Sequence, residues 1–400
     1  MQQKILILGA GFAGMWAALS AARLAAMHNR DDIEIAVLAP QPELHVRPRF
    51  YETEVASLVA PLQPLFDVTG VTFVKGEAQR IDSVNQCVWY RDEQGNSTPR
   101  QYDCLVLATG SNLKRDLIDG AAEHAFDLDQ LESALRLEQH ISDLAQQLES
   151  EARNTVIVCG GGFTGIEMAT ELPGRLRAVL GEETNARVIV VERGDKIGGR
   201  YSRELRDVIA TASEELGVEW RLNTDVREID ANGIVLADGE RIASSTVILT
   251  AGVQASPLTA QINAPRDKQG RLHVDAFLRV EGQPAIFATG DVARAETDDQ
   301  GNLALMTCQH AIMLGRFVGY NVAASLLDVA PLPYRQINYV TCLDLGGWGA
   351  VFTEGWEQKV THVREEAKKI KLSITQELIY PPVADRKIAF ETADPLAPFV

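Results

Sequence analysis

Two glycine-rich turns contain the residues whose types and spacing could do chemistry. Residues 9–14 and 160–165 share the pattern Gly-x-Gly-x-x-Gly. In this pattern the first glycine permits a tight turn, the second lets a pyrophosphate approach the backbone, and the third lets a helix pack against a strand. Free backbone amides and the positive end of the helix dipole would then face the phosphates. The residues that we assign to phosphate binding are Gly9, Gly11, Phe12, Ala13, Gly14, Gly160, Gly162, Phe163, Thr164 and Gly165.

The elements that must position these turns occur twice in the same order. Each turn follows an apolar strand, at 4–8 and at 155–159, and opens a helix, of which the first runs to about Met27. This duplication predicts two dinucleotide-binding units, and it adds the ends of their closing strands to the candidate binding residues: Ala108, Thr109, Gly110 and Gly252. The matching later segments are second strands at 33–38 and 187–192, short strands near 71–74 with 87–90 and near 219–222 with 233–236, and closing strands at 105–110 and 247–252.

A third strand-like segment, residues 285–291, ends in Gly290 and Asp291. It precedes a helical stretch from about Leu305 to Leu327. A carboxylate at this position can accept hydrogen bonds from sugar hydroxyls. The same sequence is also a common turn, so Asp291 is either a ligand-binding residue or a turn residue.

These patterns predict an α/β protein with two nested Rossmann-like dinucleotide-binding domains and a small C-terminal β-containing domain. We predict that residues 1–113 and 253–325 form the first, discontinuous domain. Residues 150–252 form the second domain and residues 326–400 the C-terminal one. Acidic, helix-forming sequence between 112 and 154 connects the two copies.

The composition excludes several classes of function. The chain has 400 residues, with 38 Lys and Arg against 55 Asp and Glu, and its formal charge of −17 opposes binding of nucleic-acid phosphates. Its five cysteines form no Cys-x-x-Cys pair, so no metal site and no local redox dithiol is predicted. No apolar run reaches the about 18 residues of a membrane span, and the start is too short for a signal peptide. We therefore expect a cytoplasmic protein without a transmembrane segment.

Taken in order, the motifs resemble those of the flavoprotein oxidoreductases with two dinucleotide sites, the pyridine nucleotide-disulfide oxidoreductase superfamily. Within it they resemble the type II NADH dehydrogenase (NADH:quinone oxidoreductase) family. The resemblance covers residues 4–325 and rests on residues 9–14, 102–110, 160–167 and 288–291.

This resemblance implies FAD on the first glycine motif and on Asp291, and a nicotinamide nucleotide on the second motif. Arg47 and Pro48 would lie beside the flavin, because residues 47–52 look like the family's Arg-Pro-Leu-Leu-Tyr-Glu stretch. Glu167, early in the second helix, would lie near the nicotinamide and help to position it. Stabilisation by the helix dipole alone would also explain an acid at this position.

The choice of nicotinamide nucleotide depends on Glu192, at the end of the second strand of the second copy. Its carboxylate can accept hydrogen bonds from both ribose hydroxyls of NADH and would repel the 2′-phosphate of NADPH. Arg193 and Arg200 follow it and weaken this preference. NADH is the predicted donor, and NADPH stays open.

Two departures from the family pattern concern the flavin and its electron acceptor. Ala39 stands where the family has an acid for the adenosine ribose of FAD, so other groups must hold that ribose. Residues 308–314 lack both final glutamines of the family's quinone-side Ala-Gln-x-Ala-x-Gln-Gln stretch, which puts a quinone acceptor in doubt. Gln309 and His310 stay candidates to contact the flavin or its acceptor, although His310 is equally typical of a packed histidine.

The C-terminal segment also differs from the basic amphipathic helix of the family, because it is acidic and contains proline. Lys368, Lys369 and Lys371 alternate with Ile370 and Leu372, which predicts a strand with a solvated face. We therefore expect at most weak peripheral contact with the inner membrane.

The sequence thus predicts an FAD-dependent NAD(P)H oxidoreductase in which hydride passes from NADH to flavin N5, and electrons then pass to a quinone or another small oxidant. Glu167 and His310 are the candidate catalytic residues. One alternative is a reductase of an electron-transfer protein such as ferredoxin or rubredoxin, and the acidic charge disfavours an acidic ferredoxin as partner. Another is a slow-turnover NADH- and flavin-binding redox sensor. Formation of a homodimer also stays open.

Overall fold

The computed structural model describes residues 2–398, and no helix in this range is both long and apolar enough to cross a membrane. The α-helices are α1 (Phe12–Met27), α2 (Gln63–Thr69), α3 (Ala121–His124), α4 (Leu131–Asp143), α5 (Glu151–Asn154), α6 (Phe163–Leu180), α7 (Arg203–Leu216), α8 (Cys308–Leu327), α9 (Arg364–Ser373) and α10 (Arg386–Thr392). The strands of the first half are β1 (Gln3–Leu8), β2 (Ile33–Ala39), β3 (Glu43–His45), β4 (Val59–Pro61), β5 (Thr72–Lys75), β6 (Glu77–Asp82), β7 (Cys87–Arg91), β8 (Ser97–Gln101), β9 (Cys104–Leu107), β10 (Ser111–Leu113), β11 (Thr155–Cys159) and β12 (Arg187–Val191). Those of the second half are β13 (Val218–Arg221), β14 (Val226–Asp230), β15 (Gly233–Leu236), β16 (Arg241–Ala243), β17 (Thr246–Leu249), β18 (Val253–Ala255), β19 (Leu272–His273), β20 (Ile286–Ala288), β21 (Ala293–Arg294), β22 (Val340–Asp344), β23 (Ala350–Glu354) and β24 (Lys359–Val363).

The first nucleotide-binding unit is built on a five-stranded parallel sheet with the order β20-β9-β1-β2-β5. In β1 the run from Ile5 to Leu8 is fully buried, as expected for a parallel strand that is covered on both faces. Because β20 comes from a much later part of the chain, this unit is discontinuous. The carboxyl ends of β1, β9 and β20 lie side by side at one edge of the sheet.

The second unit is built on a four-stranded parallel sheet with the order β13-β12-β11-β17. Each unit also carries a three-stranded antiparallel sheet, β6-β7-β8 in the first and β14-β15-β16 in the second. The repeated succession of elements is the α/β arrangement with two Rossmann-like units that the duplication predicts. The limits of the three domains stay predictions.

Two glycines of α8 bring this helix unusually close to α1. A side-chain carbon built on Gly315 would lie 2.5 Å from the carbonyl oxygen of Ala13, and one on Gly319 would collide with the carbonyl oxygen of Ala17. The two glycines are four residues apart, so they lie on the same face of α8. This close packing places the N-terminus of α8 beside the first glycine turn.

The C-terminal segment contains the antiparallel sheet β22-β23-β24, followed by α9 and α10. The prediction of a solvated strand at 368–372 is wrong, because this stretch belongs to α9. Lys368 and Lys371 are three residues apart and therefore lie on one helix face, which is directed into the protein. The side chain of Lys371 is only 5% exposed, because an acidic partner from α6 pairs with it.

Candidate functional site

The first glycine turn connects β1 with α1 and leaves one of its glycines open. Gly9 has a φ of +105°, and a side-chain carbon built there would collide with the carbonyl oxygen of Ala108. A carbon on Gly14 would collide with the carbonyl oxygen of Gly9, so both positions require glycine. Gly11 has no such neighbour within 4 Å in the described part of the chain and begins α1 without a side-chain cap. A phosphate can therefore approach the amides that begin the helix, which are those of Phe12 and Ala13.

The loops after β9 and β20 lie beside this turn and supply polar groups. Asp291 accepts a hydrogen bond of 2.6 Å from the Ser111 hydroxyl, and desolvation by the surrounding protein raises the pKa of Asp291. Thr109 and Thr289 each have a buried hydroxyl oxygen that no described residue pairs with. Buried hydroxyls require hydrogen-bond partners. These groups, next to a phosphate cradle, therefore fit the sugar and phosphate groups of FAD.

Arg47 reaches the same crevice from the short helix Arg47–Arg49, of which Pro48 is the second residue. Its guanidinium donates to the Asp129 carboxylate at 2.5 Å and to the Ser111 carbonyl oxygen at 3.3 Å. Gly110, with a φ of +64°, lies next to this guanidinium. Asp129 and Ser111 thus fix the predicted Arg47, and no sequence motif points to either residue.

Gly290 brings the Asp291 loop against the first helix. It has a φ of +66°, and an added side-chain carbon would lie 2.8 Å from Cβ of Ala13. Glycine at this position lets Asp291 sit directly above the start of α1. The predicted residues of the first unit therefore surround one crevice at the edge of the parallel sheet.

The second glycine turn, between β11 and α6, repeats the geometry of the first. Gly160 has a φ of +117°, and a carbon on Gly165 would collide with its carbonyl oxygen. A side-chain carbon built on Gly162 would meet none of the described residues within 4 Å, and Gly162 begins α6 without a side-chain cap. Gly252, with a φ of +93°, follows β17 at the same sheet edge. The exposed residues that follow Gly162 at the start of α6 are Phe163 and Thr164.

Glu192 anchors this turn from the end of the neighbouring strand β12. Its two carboxylate oxygens accept hydrogen bonds of 2.8 Å from the amides of Gly161 and Gly194. Each carboxylate oxygen has a further lone pair, so Glu192 can still accept hydrogen bonds from ribose hydroxyls. Arg193 and Arg200 are exposed in the loop that follows.

Glu167, in the first half of α6, is buried and forms an ion pair with the C-terminal helix α9. The Lys371 ammonium donates to Oε1 at 2.7 Å, and the backbone amide of Asp344 donates to the same oxygen at 3.1 Å. Lys371 also donates to the carbonyl oxygen of Cys342 at 3.1 Å. Every hydrogen bond that the described residues make to this carboxylate reaches Oε1. Oε2 is therefore available to another partner.

Burial and the ion pair change the pKa of both groups. Burial raises the pKa of Glu167 to about 7, although Lys371 opposes the shift. Burial disfavours the charged form of Lys371, but Glu167 outweighs this effect and leaves the pKa of Lys371 above its usual value. Glu167 can therefore take up or release a proton near pH 7, which is typical of acid–base groups in active sites.

A second ion pair lies next to the first. Lys368 donates to both oxygens of Asp344, at 2.7 and 2.8 Å, and the Tyr51 hydroxyl donates to Oδ2 at 3.0 Å. The Asp344 side chain is 4% exposed and that of Lys368 is 30% exposed. Two carboxylates and two ammonium groups thus form one cluster at the junction of α6, β22 and α9.

His310 is fully buried in the first turn of α8, which Thr307 caps. The Thr307 hydroxyl oxygen accepts a hydrogen bond from the His310 backbone N–H at 3.4 Å and lies 2.9 Å from Nδ1 of the ring. We assign the Thr307 hydroxyl as the donor to Nδ1, which places the ring proton of His310 on Nε2. Burial lowers the pKa of His310 to about 4, which keeps the ring neutral. Nε2 and the neighbouring Oε1 of Gln309 are buried without a partner in the described structure.

Aromatic rings surround His310. Its ring centroid lies 5.5 Å from that of Tyr339 and 5.9 Å from that of Trp356, which stack on each other at 4.5 Å. Glu167 and His310 have separate neighbours, but desolvation raises the pKa of Cys308 to about 11, and Cys308 is also affected by the charges of Lys371 and Glu167. Cys308, the first residue of α8, therefore lies near Glu167, and His310 follows it by two residues in the same helix turn.

The sequence interpretation missed the residues that form the cluster around Glu167. Tyr51 belongs to a segment singled out only for Arg47 and Pro48. Asp344 lies in the predicted C-terminal β-containing domain, to which no site residue was assigned. Lys371 was placed on a solvated face because its partner is 204 residues away in the chain. Among the described residues, no group of three or more His, Cys, Asp or Glu side chains is arranged to hold a metal ion.

Comparisons with known proteins agree with this geometry. The NADH dehydrogenase-like protein Rv1812c of Mycobacterium tuberculosis is 41% identical over 386 residues, which are 95% of each chain. The demethylphylloquinone reductase NdbB of Synechocystis is 29% identical, over 88% of this chain and 86% of its own. The solved structure of NDH2 from Plasmodium falciparum in complex with NADH has the same fold, with a TM-score of 0.80 at 14% identity and 98% coverage of both chains.

The family model named "Pyridine nucleotide-disulphide oxidoreductase" matches residues 3–315, which include both glycine turns and Asp291. This match confirms the predicted α/β fold class, the resemblance to NADH dehydrogenases, and the prediction of an oxidoreductase that uses FAD and a nicotinamide nucleotide. The chain therefore belongs to the pyridine nucleotide-disulphide oxidoreductase family.

Proposed function

We propose that the protein is an FAD-dependent NADH:quinone oxidoreductase. When bound, FAD would supply the chemistry for taking up a hydride and passing two electrons to a second substrate. Residues 1–113 and 253–325 would hold FAD through the first glycine turn, Asp291 and Arg47. Residues 150–252 would hold NADH through the second glycine turn. The protein's contribution to hydride transfer is to hold the two ring systems in contact and to exclude water.

The environment of Glu167 is the single observation that carries the choice of a quinone as acceptor. Reduction of a quinone to a quinol consumes two electrons and two protons, whereas NADH delivers two electrons and one proton as hydride. One further proton must therefore come from the protein or the solvent. A buried carboxyl group whose pKa is raised by burial, and whose Oε2 accepts no hydrogen bond from the described residues, suits this task. A one-electron acceptor such as ferredoxin needs no such group.

We further propose that His310 assists the acceptor rather than exchanging protons with it. Its pKa of about 4 keeps it neutral during turnover, and its buried Nε2–H can donate a hydrogen bond to a carbonyl oxygen. In this proposal His310 donates the hydrogen bond to the acceptor in place of the family's two glutamines, which are replaced here by Met313 and Leu314.

NADH rather than NADPH is the proposed donor. Glu192 is held by two backbone amides in an orientation that faces the second turn, where it would meet the adenosine ribose. A 2′-phosphate would lie next to this carboxylate and be repelled. Arg193 and Arg200 are exposed, so screening by solvent and salt weakens their attraction for that phosphate.

A cytoplasmic protein in peripheral contact with a membrane fits a lipophilic quinone. Large apolar side chains are exposed along the C-terminal segment, and exposed apolar surface is typical of contact sites. The relative NdbB is named a demethylphylloquinone reductase, which supports a quinone as acceptor. The exposed side chains are Leu372, Leu378, Val383, Ile388 and Leu396.

An anaerobic half-reaction experiment tests this proposal. NADH should bleach the flavin absorbance. A water-soluble naphthoquinone should then restore this absorbance faster than ferredoxin or oxygen does. Glu167→Gln removes the exchangeable proton and should slow only the quinone step, while Glu182→Gln, at an exposed site after α6, should change neither step. Bleaching that is followed by equally slow reoxidation with every acceptor would contradict the function and favour a redox sensor.

A further inference from the structure

The cluster around Glu167 contains more ionic groups than proton donation to an acceptor requires. Among the described residues Lys371 alone forms an ion pair with Glu167, yet β22 and α9 add the buried Asp344 and its partner Lys368. The backbone amide of Asp344 bonds Glu167 Oε1, while its carboxylate accepts hydrogen bonds from Lys368, Tyr51 and the Gly346 amide. Asp344 is thus fixed on every side, and its charge lies next to Glu167.

Lys368 is the member of this cluster that reaches solvent. Its side chain is 30% exposed, against 4–5% for Asp344, Glu167 and Lys371. Glu171, one turn after Glu167 in α6, faces both Asp344 and Lys368. The titratable groups that face Glu167 itself are Lys371, Asp344, Tyr51, Tyr201, Cys308 and Cys342.

We propose that Asp344 and Lys368 are positioning residues that determine whether Glu167 carries the proton consumed in acceptor reduction. This inference rests on the proposed function. Asp344 holds Glu167 through its backbone and places a negative charge beside it. Lys368 compensates that charge from the solvent side. The balance between these two charges therefore sets the protonation of Glu167, although neither side chain contacts it.

The two members of the pair predict opposite effects. Asp344→Asn removes a negative charge and leaves Lys368 uncompensated, which favours the ionised form of Glu167 and lowers its pKa. Lys368→Met leaves the Asp344 carboxylate uncompensated, which favours the protonated form of Glu167 and raises its pKa. Changes in a neighbouring charge shift a buried carboxyl by about one pH unit or more.

Infrared spectroscopy of the FAD-loaded protein measures this protonation without turnover. The carboxyl C=O band of Glu167, identified as the band lost in Glu167→Gln, is titrated against pH in the wild type and in the two variants. Lys369→Met is the matched control, because Lys369 is exposed in the same helix. The pH profile of flavin reoxidation by the naphthoquinone is recorded in parallel, with thermal unfolding as a check on folding.

The expected result is a titration midpoint that falls by about one pH unit in Asp344→Asn and rises by about one in Lys368→Met. The alkaline limit of quinone reduction should follow the same shifts, and Lys369→Met should leave both unchanged. Midpoints that stay fixed, or that move in the same direction in both folded variants, would overturn the inference. A wild-type protein that reduces no quinone would overturn the proposed function instead, since the infrared titration still reports on Glu167.

Discussion

Gly162→Asp separates the two tasks of the second glycine turn, because it should affect folding and nucleotide binding in opposite directions. Gly162 is the N-cap of α6, and neither an acidic residue nor a side-chain cap is present in the first turn of this helix. Aspartate is a favoured N-cap and interacts well with the positive helix end, so the variant should gain about 0.5–1 kcal/mol in stability. Between residues 2 and 398, no atom lies within 4 Å of a carbon added at this position.

The same substitution should weaken NADH binding strongly. The new carboxylate would lie where a pyrophosphate approaches the amides of α6. At about 4 Å and an effective dielectric constant of about 20, two unit charges repel each other by about 4 kcal/mol. That energy corresponds to roughly a thousandfold higher Kd. The affinity for FAD should stay unchanged, because the first turn lies in the other unit.

Urea unfolding and anaerobic titration of the flavin with NADH measure these two effects. Gly174→Asp is the control for the added charge, since Gly174 is exposed in the same helix with no atom within 4 Å of an added carbon. Gly11→Asp is the counterpart in the first turn and should yield protein without bound flavin. An NADH affinity in Gly162→Asp equal to that in Gly174→Asp would refute the assignment of the second turn to the nucleotide phosphates.

Three further substitutions test other parts of the structure. Glu192→Ala should lower the preference for NADH over NADPH, measured as the ratio of kcat/KM values, and an unchanged ratio would exclude Glu192 as the selecting residue. His310→Leu should make the protein lose less stability on acidification. The pKa of His310 is lowered from 6.5 to about 4, so the stability that the neutral ring contributes above pH 6.5 is lost as the pH falls toward 4. In urea unfolding of the wild type this loss should reach up to about 3 kcal/mol. An equally steep loss in the variant would contradict the buried neutral ring. Gly315→Ala should destabilise the protein by about 1–3 kcal/mol, because the added carbon lies 2.5 Å from the Ala13 carbonyl oxygen, whereas Gly174→Ala should stabilise it by up to about 1 kcal/mol. Equal stability of these two variants would refute the close packing of α8 on α1.

The nucleotide-binding turns were predictable because their requirements are local. An apolar strand, three glycines at fixed spacing and a helix specify the conformation within a few residues, and α1 ends at the expected Met27. The side chains that complete the crevices were not predictable in this way. Ser111 and Asp129 hold Asp291 and Arg47 through contacts between residues that are distant in the sequence and follow no motif.

Lys371 shows why residues 368–372 were assigned wrongly to a strand. Alternation of lysines with apolar residues over five positions fits a strand with one solvated face as well as it fits a helix. The deciding factor is a buried acid elsewhere in the fold, since a lysine is buried only where a partner compensates its charge. A helix brings Lys368 and Lys371 to one face, and that face meets Asp344 and Glu167.

The ionic cluster joins all three parts of the chain. Tyr51 comes from the first nucleotide-binding unit, Glu167 from the second, and Asp344 with both lysines from the C-terminal segment. Removing one partner of a buried ion pair leaves an uncompensated charge, which is strongly destabilising. The cluster therefore forms only when the three parts are docked together. The group that carries the proton in the proposed reaction is thus held by contacts that link both nucleotide-binding units with the C-terminal segment.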